Sequence, residues 1–150
     1  KCRFVGSNML FMKKVLIFLV DDDEDDREVF LEALHEVNDS FLFVTAEDGE
    51  KALKYLSDAS NRLPDLIFLD MNMPRLDGRQ CLQEIKKSPR LSSIPVVVYS
   101  TTKREDDVRE TTRLGAVHFL TKPVLFHEIT SALSDMINRF ISLKQIKMKD

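Results

Sequence analysis

The chain has no tryptophan, only four glycines and five prolines, and just two cysteines in 150 residues. Cys2 and Cys81 form neither a disulfide framework nor a metal-ligand spacing, which excludes a stapled miniature fold and a zinc module and fits a reducing cytoplasm. The scarcity of glycine and proline leaves no low-complexity segment, and no linker or internal repeat is visible. Long apolar runs are missing too. The longest clean one is Val15–Val20, far short of the roughly 20 residues a membrane-spanning helix needs. Residues 9–20 have some character of a secretory leader, but Lys13 and Lys14 interrupt them, acids follow and no small-residue cleavage site is present. A basic surplus is also absent: 22 Lys and Arg stand against 25 Asp and Glu, a net charge of −3. A general nucleic-acid binder would leave a basic footprint, so neither direct nucleic-acid contact nor membrane insertion is expected.

What is present is an ordinary globular composition, 43% hydrophobic and 31% charged, in a length that buries a core without staples. Short apolar runs rich in β-branched and aromatic residues predict strands at Val15–Val20, Phe41–Thr45, Leu66–Leu69, Val96–Tyr99 and Val117–Leu120. Three are nearly all apolar, as strands covered on both faces are. Helical periods lie between them. The clearest is the last, with Ile129, Ala132, Leu133, Met136, Ile137, Phe140 and Ile141 on one face. Arg104–Arg113 is the exception: it offers Val108 and almost nothing else apolar, which predicts a weakly anchored helix. Strict βα alternation implies an α/β fold with a doubly wound parallel sheet and helices on both faces. One domain is expected over residues 13–143. Residues 1–12 read as an extension, disordered or derived from cloning or an upstream start codon, and residues 144–150 as a tail in which Lys144, Lys147 and Lys149 are a solvated helix end. No attached output module is expected in so short a remainder.

The residues just past each strand carry the chemistry. Asp21, Asp22 and Asp23 follow the first, Asp70 to Pro74 the third, Ser100, Thr101 and Thr102 the fourth, and Thr121, Lys122 and Pro123 the fifth. In a parallel sheet these ends share one edge, where open α/β sheets bind ligands. Converging carboxylates repel one another and raise each other's pKa unless something pairs with them. Oxygen-only donors with room for water suit Mg²⁺. One carboxylate can then attack phosphorus to form an acyl phosphate, while a lysine and a hydroxyl hold other phosphoryl oxygens.

Val20-Asp21-Asp22, Asp70-Met71-Asn72-Met73-Pro74 with Asp77-Gly78, Pro95 to Ser100, and Gly115-Ala116 with Lys122-Pro123 together resemble the receiver domain of bacterial two-component response regulators, over roughly residues 14–141. The stretch from Ile85 to Thr102 is further similar to small stand-alone regulators partnered with bacterial phytochrome kinases. The resemblance implies a flavodoxin-like sheet of order 2-1-3-4-5, and a cis peptide at Lys122–Pro123. It implies Asp70 as phosphoacceptor, and Mg²⁺ held by Asp21, Asp22, Asp70 and the backbone carbonyl of Asn72. Lys122 would bind the phosphoryl group, with Ser100 as switch hydroxyl and Phe119 as switch aromatic. A sensor histidine kinase or histidine phosphotransfer protein would be the donor and an unidentified protein the downstream target. Stand-alone receivers also pair as homodimers through their last helices. Such a protein is not a turnover enzyme; it promotes only its own phosphorylation and dephosphorylation.

Within the unbroken acidic run Asp21–Asp26, Asp21 and Asp22 are assigned to metal, and Asp23 to Asp26 to helix capping and solvent, with Asp23 as the cap. Thr102 is expected nearer the crevice mouth than Ser100, and with Asn72 to tune the dephosphorylation rate. His35, His118 and His127 share no metal spacing and read as structural or surface residues, and Cys81 as a small core residue. Two other readings stay open: a Mg²⁺-dependent phosphatase turning over through an aspartyl phosphate, whose paired acids would be Asp21 and Asp23, and an interaction module that has kept only the fold.

Overall fold

A computed structural model describes residues 14–141. Its elements alternate: β1 (Leu16–Val20), α1 (Glu24–Val37), β2 (Leu42–Ala46), α2 (Gly49–Ser57), β3 (Leu66–Leu69), α3 (Gly78–Lys87), β4 (Val96–Ser100), α4 (Glu105–Arg113), β5 (His118–Thr121) and α5 (Phe126–Phe140). The five strands are parallel, in the order β2-β1-β3-β4-β5. Strand limits differ from the sequence expectation by about one residue, and Ser100 and Thr121 are the last residues of their strands rather than the first beyond them. The expected extension and the lysine tail lie outside the described residues.

The pleat explains the apolar strands. Ile17, Leu19, Leu66, Phe68, Val97 and Tyr99 point to one face, where Phe30, Ala33 and Leu34 of α1 and Ile129, Leu133 and Met136 of α5 cover them. Phe18, Val20, Ile67, Leu69 and Val96 point to the other, against Ala52 and Leu56 of α2 and Cys81, Leu82 and Ile85 of α3. Both faces of the central strands are therefore lost to solvent, and period-2 polarity disappears. Cys81 is a fully buried core residue, as expected. Its thiol is pushed up to about 12 by burial first and by the nearby acids Asp77 and Glu84, so it stays an inert thiol.

Helix starts are encoded locally. Asp23 caps α1 by accepting from the Asp26 amide, Asp48 caps α2 from Lys51, and Asp77 with Gln80 forms a reciprocal capping box at α3. After α4, Gly115 takes φ +109°, the left-handed conformation that ends a helix cheaply only in glycine. The implied cis bond at Lys122–Pro123 is not found: no peptide among the described residues is cis. The trans form is the one the X–Pro bond itself favours, by about 0.5–1 kcal/mol.

Candidate functional site

Strand register builds the site. Val20 pairs with Leu69 across β1 and β3, and the Asp70 amide donates to the Val20 carbonyl at 2.9 Å. The residues that follow, Asp21 and Asp70, thus emerge side by side. Ser100 pairs with Thr121, and the Lys122 amide donates to the Ser100 carbonyl at 2.7 Å, so β5 delivers Lys122 next to the end of β4.

Asp21, Asp22 and Asp70 bring one carboxylate oxygen each within 4.8 Å of one another. Asp21 and Asp70 are buried, Asp22 is exposed. Lys122 enters the cluster, its Nζ 2.7 Å from Asp21 Oδ2 and 3.8 Å from Asp70 Oδ2. Asp21 Oδ1 accepts from the Asp23 amide at 3.0 Å, and Asp70 Oδ1 from the Asn72 amide at 3.3 Å. Asn72 is exposed at the rim.

Ionisation follows from this packing. Burial, more than any neighbour, pushes Asp70 up to about 7. Lys122 pulls the other way, and the charges of Asp21 and Asp22 add to the rise. Asp21 is also raised, chiefly by burial, against its hydrogen bond from Lys122. Burial opposes the charge on Lys122, but the carboxylates bonded to it hold its pKa above the ordinary lysine value. One ammonium is thus set among carboxylates too crowded to ionise freely. The shortage of positive charge, with three converging oxygen donors and no nitrogen or sulfur donor, fits a hard divalent cation.

Ser100 is buried at the end of β4. Phe119 stands half-buried on β5, paired with Val98. Thr102 is half-exposed where Ser100 is buried, in line with a place nearer the mouth. Its hydroxyl is turned to α4, donating to Asp107 Oδ2 at 3.1 Å, and its amide donates to Ser100 Oγ at 3.4 Å. Asp23 caps α1 through Oδ1 and is not among the clustered carboxylates. Among the histidines, His118 is half-buried on β5 with its pKa lowered, chiefly by burial, and none joins a group able to hold a metal among the described residues.

The acidic run needs one correction. Asp26, expected to face solvent, turns inward, its Oδ2 2.7 Å from Lys122 Nζ. It lies in the first turn of α1, and its partner is 96 residues away, so no local spacing announces the pair. Sequence reasoning also missed two supports. Tyr99, edge-on to Phe30 and Phe68, puts its ring centroid 5.5 Å from Lys122 Nζ, within cation–π range. Gly78 lets the start of α3 close against the Asp70 segment: a β-carbon there would lie 2.4 Å from the Asp70 carbonyl oxygen. The Asp77-Gly78 pair was the available signal.

Comparison with known proteins agrees with this geometry. The chain is 37% identical over 111 residues to the response regulator Rcp1 of Synechocystis, covering 71% of this chain and 76% of that protein. Its fold superimposes on the phosphorylated cyanobacterial phytochrome response regulator RcpA with a TM-score of 0.78 and 36% identity, covering 87% of this chain and 96% of that one. The Mn²⁺-bound form of Rcp1 gives a TM-score of 0.74 and 32% identity, over 83% and 92% of the two chains. The response regulator receiver domain model matches residues 17–134, and the chain accordingly belongs to the response regulator receiver family of two-component signalling.

Proposed function

We propose that this receiver accepts a phosphoryl group on Asp70 in a Mg²⁺-dependent reaction, taken from a sensor histidine kinase or a histidine phosphotransfer protein in the cytoplasm. The observation that carries the reading is the meeting of Asp70 with Lys122, the ammonium 3.8 Å from a buried carboxylate. The likeness to a phosphorylated regulator and to a Mn²⁺-bound one supports it. Asp21, Asp22, Asp70 and the Asn72 carbonyl would hold the cation, which when bound neutralises charge on the transferring phosphoryl oxygens.

This chain's own residues do the rest. A carboxylate oxygen of Asp70 bonds to phosphorus as the bond to the donor's imidazole nitrogen breaks, and that nitrogen keeps the electron pair. Lys122 donates to one phosphoryl oxygen and Ser100 to another. Burial of Asp70 keeps bulk water from competing as nucleophile. Asn72 and Thr102, at the rim, set how readily a water later reaches the acyl phosphate. The phosphoryl group carries about −1.5 to −2 charge in place of the single charge of the carboxylate, and its oxygens draw Ser100 inward and shift Phe119 and the neighbouring surface toward the form the downstream protein recognises. No steady turnover follows; each molecule is labelled once until it loses the group.

Incubation with acetyl phosphate and Mg²⁺ tests this, read by intact-mass spectrometry. The expected product carries a single phosphoryl group, absent in Asp70→Asn and absent with chelator. Equal labelling of Asp70→Asn, or steady hydrolysis of a phosphate monoester, would overturn the reading.

A further inference from the structure

Lys122 has three N–H donors and a flexible four-carbon stem, so its usefulness depends on how it is held. Two carboxylates hold it, Asp21 and Asp26, each at 2.7 Å. They are not equivalent. Asp21 is wholly buried and belongs to the carboxylate cluster that could take a cation. The Asp26 side chain is 42% exposed and lies outside that cluster. Any cation entering must draw on Asp21, so a lysine resting on Asp21 and Asp70 alone would compete with it for the same oxygens.

We propose that Asp26 is a positioning residue for the phosphorylation reaction: the lysine's dedicated carboxylate, which holds the Lys122 ammonium beside Asp70 and releases Asp21 for the divalent cation. One donor is then held by Asp26, and the other two are left for Asp70 and a phosphoryl oxygen. Asp26 touches neither cation nor phosphoryl group and acts only through Lys122. The proposal rests on the assignment of Asp70 as phosphoacceptor.

The test is a double-mutant cycle on Mg²⁺ affinity, measured by NMR titration of the full chain with Mg²⁺ alone. Asp26→Asn is expected to weaken Mg²⁺ binding by about three- to tenfold, because Lys122 falls back on Asp21 and Asp70. Asp25→Asn, which removes an exposed charge one residue away, should change it by less than about twofold. In the Lys122→Met background the effect of Asp26→Asn should also shrink below about twofold, since no ammonium is left to position. Equal effects in both backgrounds would reduce Asp26 to a general charge and overturn the proposal, as would unchanged affinity in Asp26→Asn. With saturating Mg²⁺, acetyl phosphate labelling of Asp26→Asn should be slower by about three- to tenfold, and an unchanged rate would count against positioning. The titration needs no phosphoryl donor. A wild-type chain that is never labelled would therefore sink the phosphoacceptor reading, while the cycle still decides whether Asp26 and Lys122 act together.

Discussion

Helices α4 and α5 stand on either side of β5 in the chain, and both begin without a side-chain cap, at Arg104 and Leu125. There the likeness ends. Helix α5 buries Ile129, Leu133, Met136 and Ile137 against α1 and the sheet. Helix α4 buries only Thr111, whose hydroxyl is turned back to its own backbone carbonyls at Asp107 and Val108. What ties α4 down is charge. Arg79 of α3 pairs with Asp107 and Glu110, and Asp107 also accepts from Thr102. Apolar burial holds an element in one place over a wide range of conditions. Ion pairs of half-exposed side chains are weaker, and a new charge nearby can re-sort them. The molecule therefore has one helix anchored by apolar burial and one anchored by charge, the latter tied through Thr102 to the strand end that carries Ser100.

The largest expected contrast is in stability. Leu133→Ala removes a fully buried side chain of α5 and should cost about 2–5 kcal/mol in urea unfolding. Val108→Ala, on the half-buried face of α4, should cost under about 1 kcal/mol. Similar losses at the two sites would erase the distinction between the helices.

A smaller effect separates the crevice from both helices. A carboxyl whose pKa is higher folded than unfolded favours folding only while it is protonated. For Asp70, raised from 3.8 to about 7, that contribution is complete at pH below about 4 and is lost as pH rises through about 7. Metal-free protein should therefore lose stability between pH 5 and 8, by about 1–3 kcal/mol. Asp70→Asn should flatten that loss and be the more stable protein at pH 8. Mg²⁺ should flatten it too, by supplying the missing positive charge. Amide exchange in α5, which opens with the whole molecule, should follow this pH trend once corrected for intrinsic exchange. Exchange in α4 should not follow it, because its opening is local. A pH-independent stability in metal-free wild type would remove the argument that crowded carboxylates call for a cation.

How much of this could be read from residues alone follows the same division. The sheet, its carboxyl edge and the meeting of Asp21, Asp22, Asp70 and Lys122 were legible because each of these residues stands next to a strand end, and strands announce themselves by apolar runs. The thin apolar face of Arg104–Arg113 correctly marked a helix that buries little apolar surface. Illegible were the pairings between elements: Asp26 with Lys122, and Arg79 with Asp107 and Glu110. Such pairs depend on where helix faces come to rest in space, and no local period records that. Charged side chains at exposed helix starts look alike whether they cap, face water or reach across to a partner. The trans peptide at Lys122–Pro123 likewise went against a family expectation that composition and spacing could not have checked.

The smallest effect on overall stability is the most informative about α4. Arg79→Gln removes both ion pairs from α3 to α4 and leaves every buried apolar contact in place. Arg79 is 30% exposed and its partners 14% and 42%, so solvent screens much of the attraction, and the global cost should be under about 1 kcal/mol. Locally the outcome should differ. Amides of α4 should exchange roughly three- to tenfold faster, while those of α5 change no more than the global cost allows. Raising NaCl to about 0.5 M should mimic this in wild type, because screening at that ionic strength reaches within a few ångströms, and should add nothing to Arg79→Gln. A helix held by hidden apolar contacts would show no such salt response. Equal acceleration across α4 and α5 would mean the two open as one body, leaving no separately opening element beside Ser100.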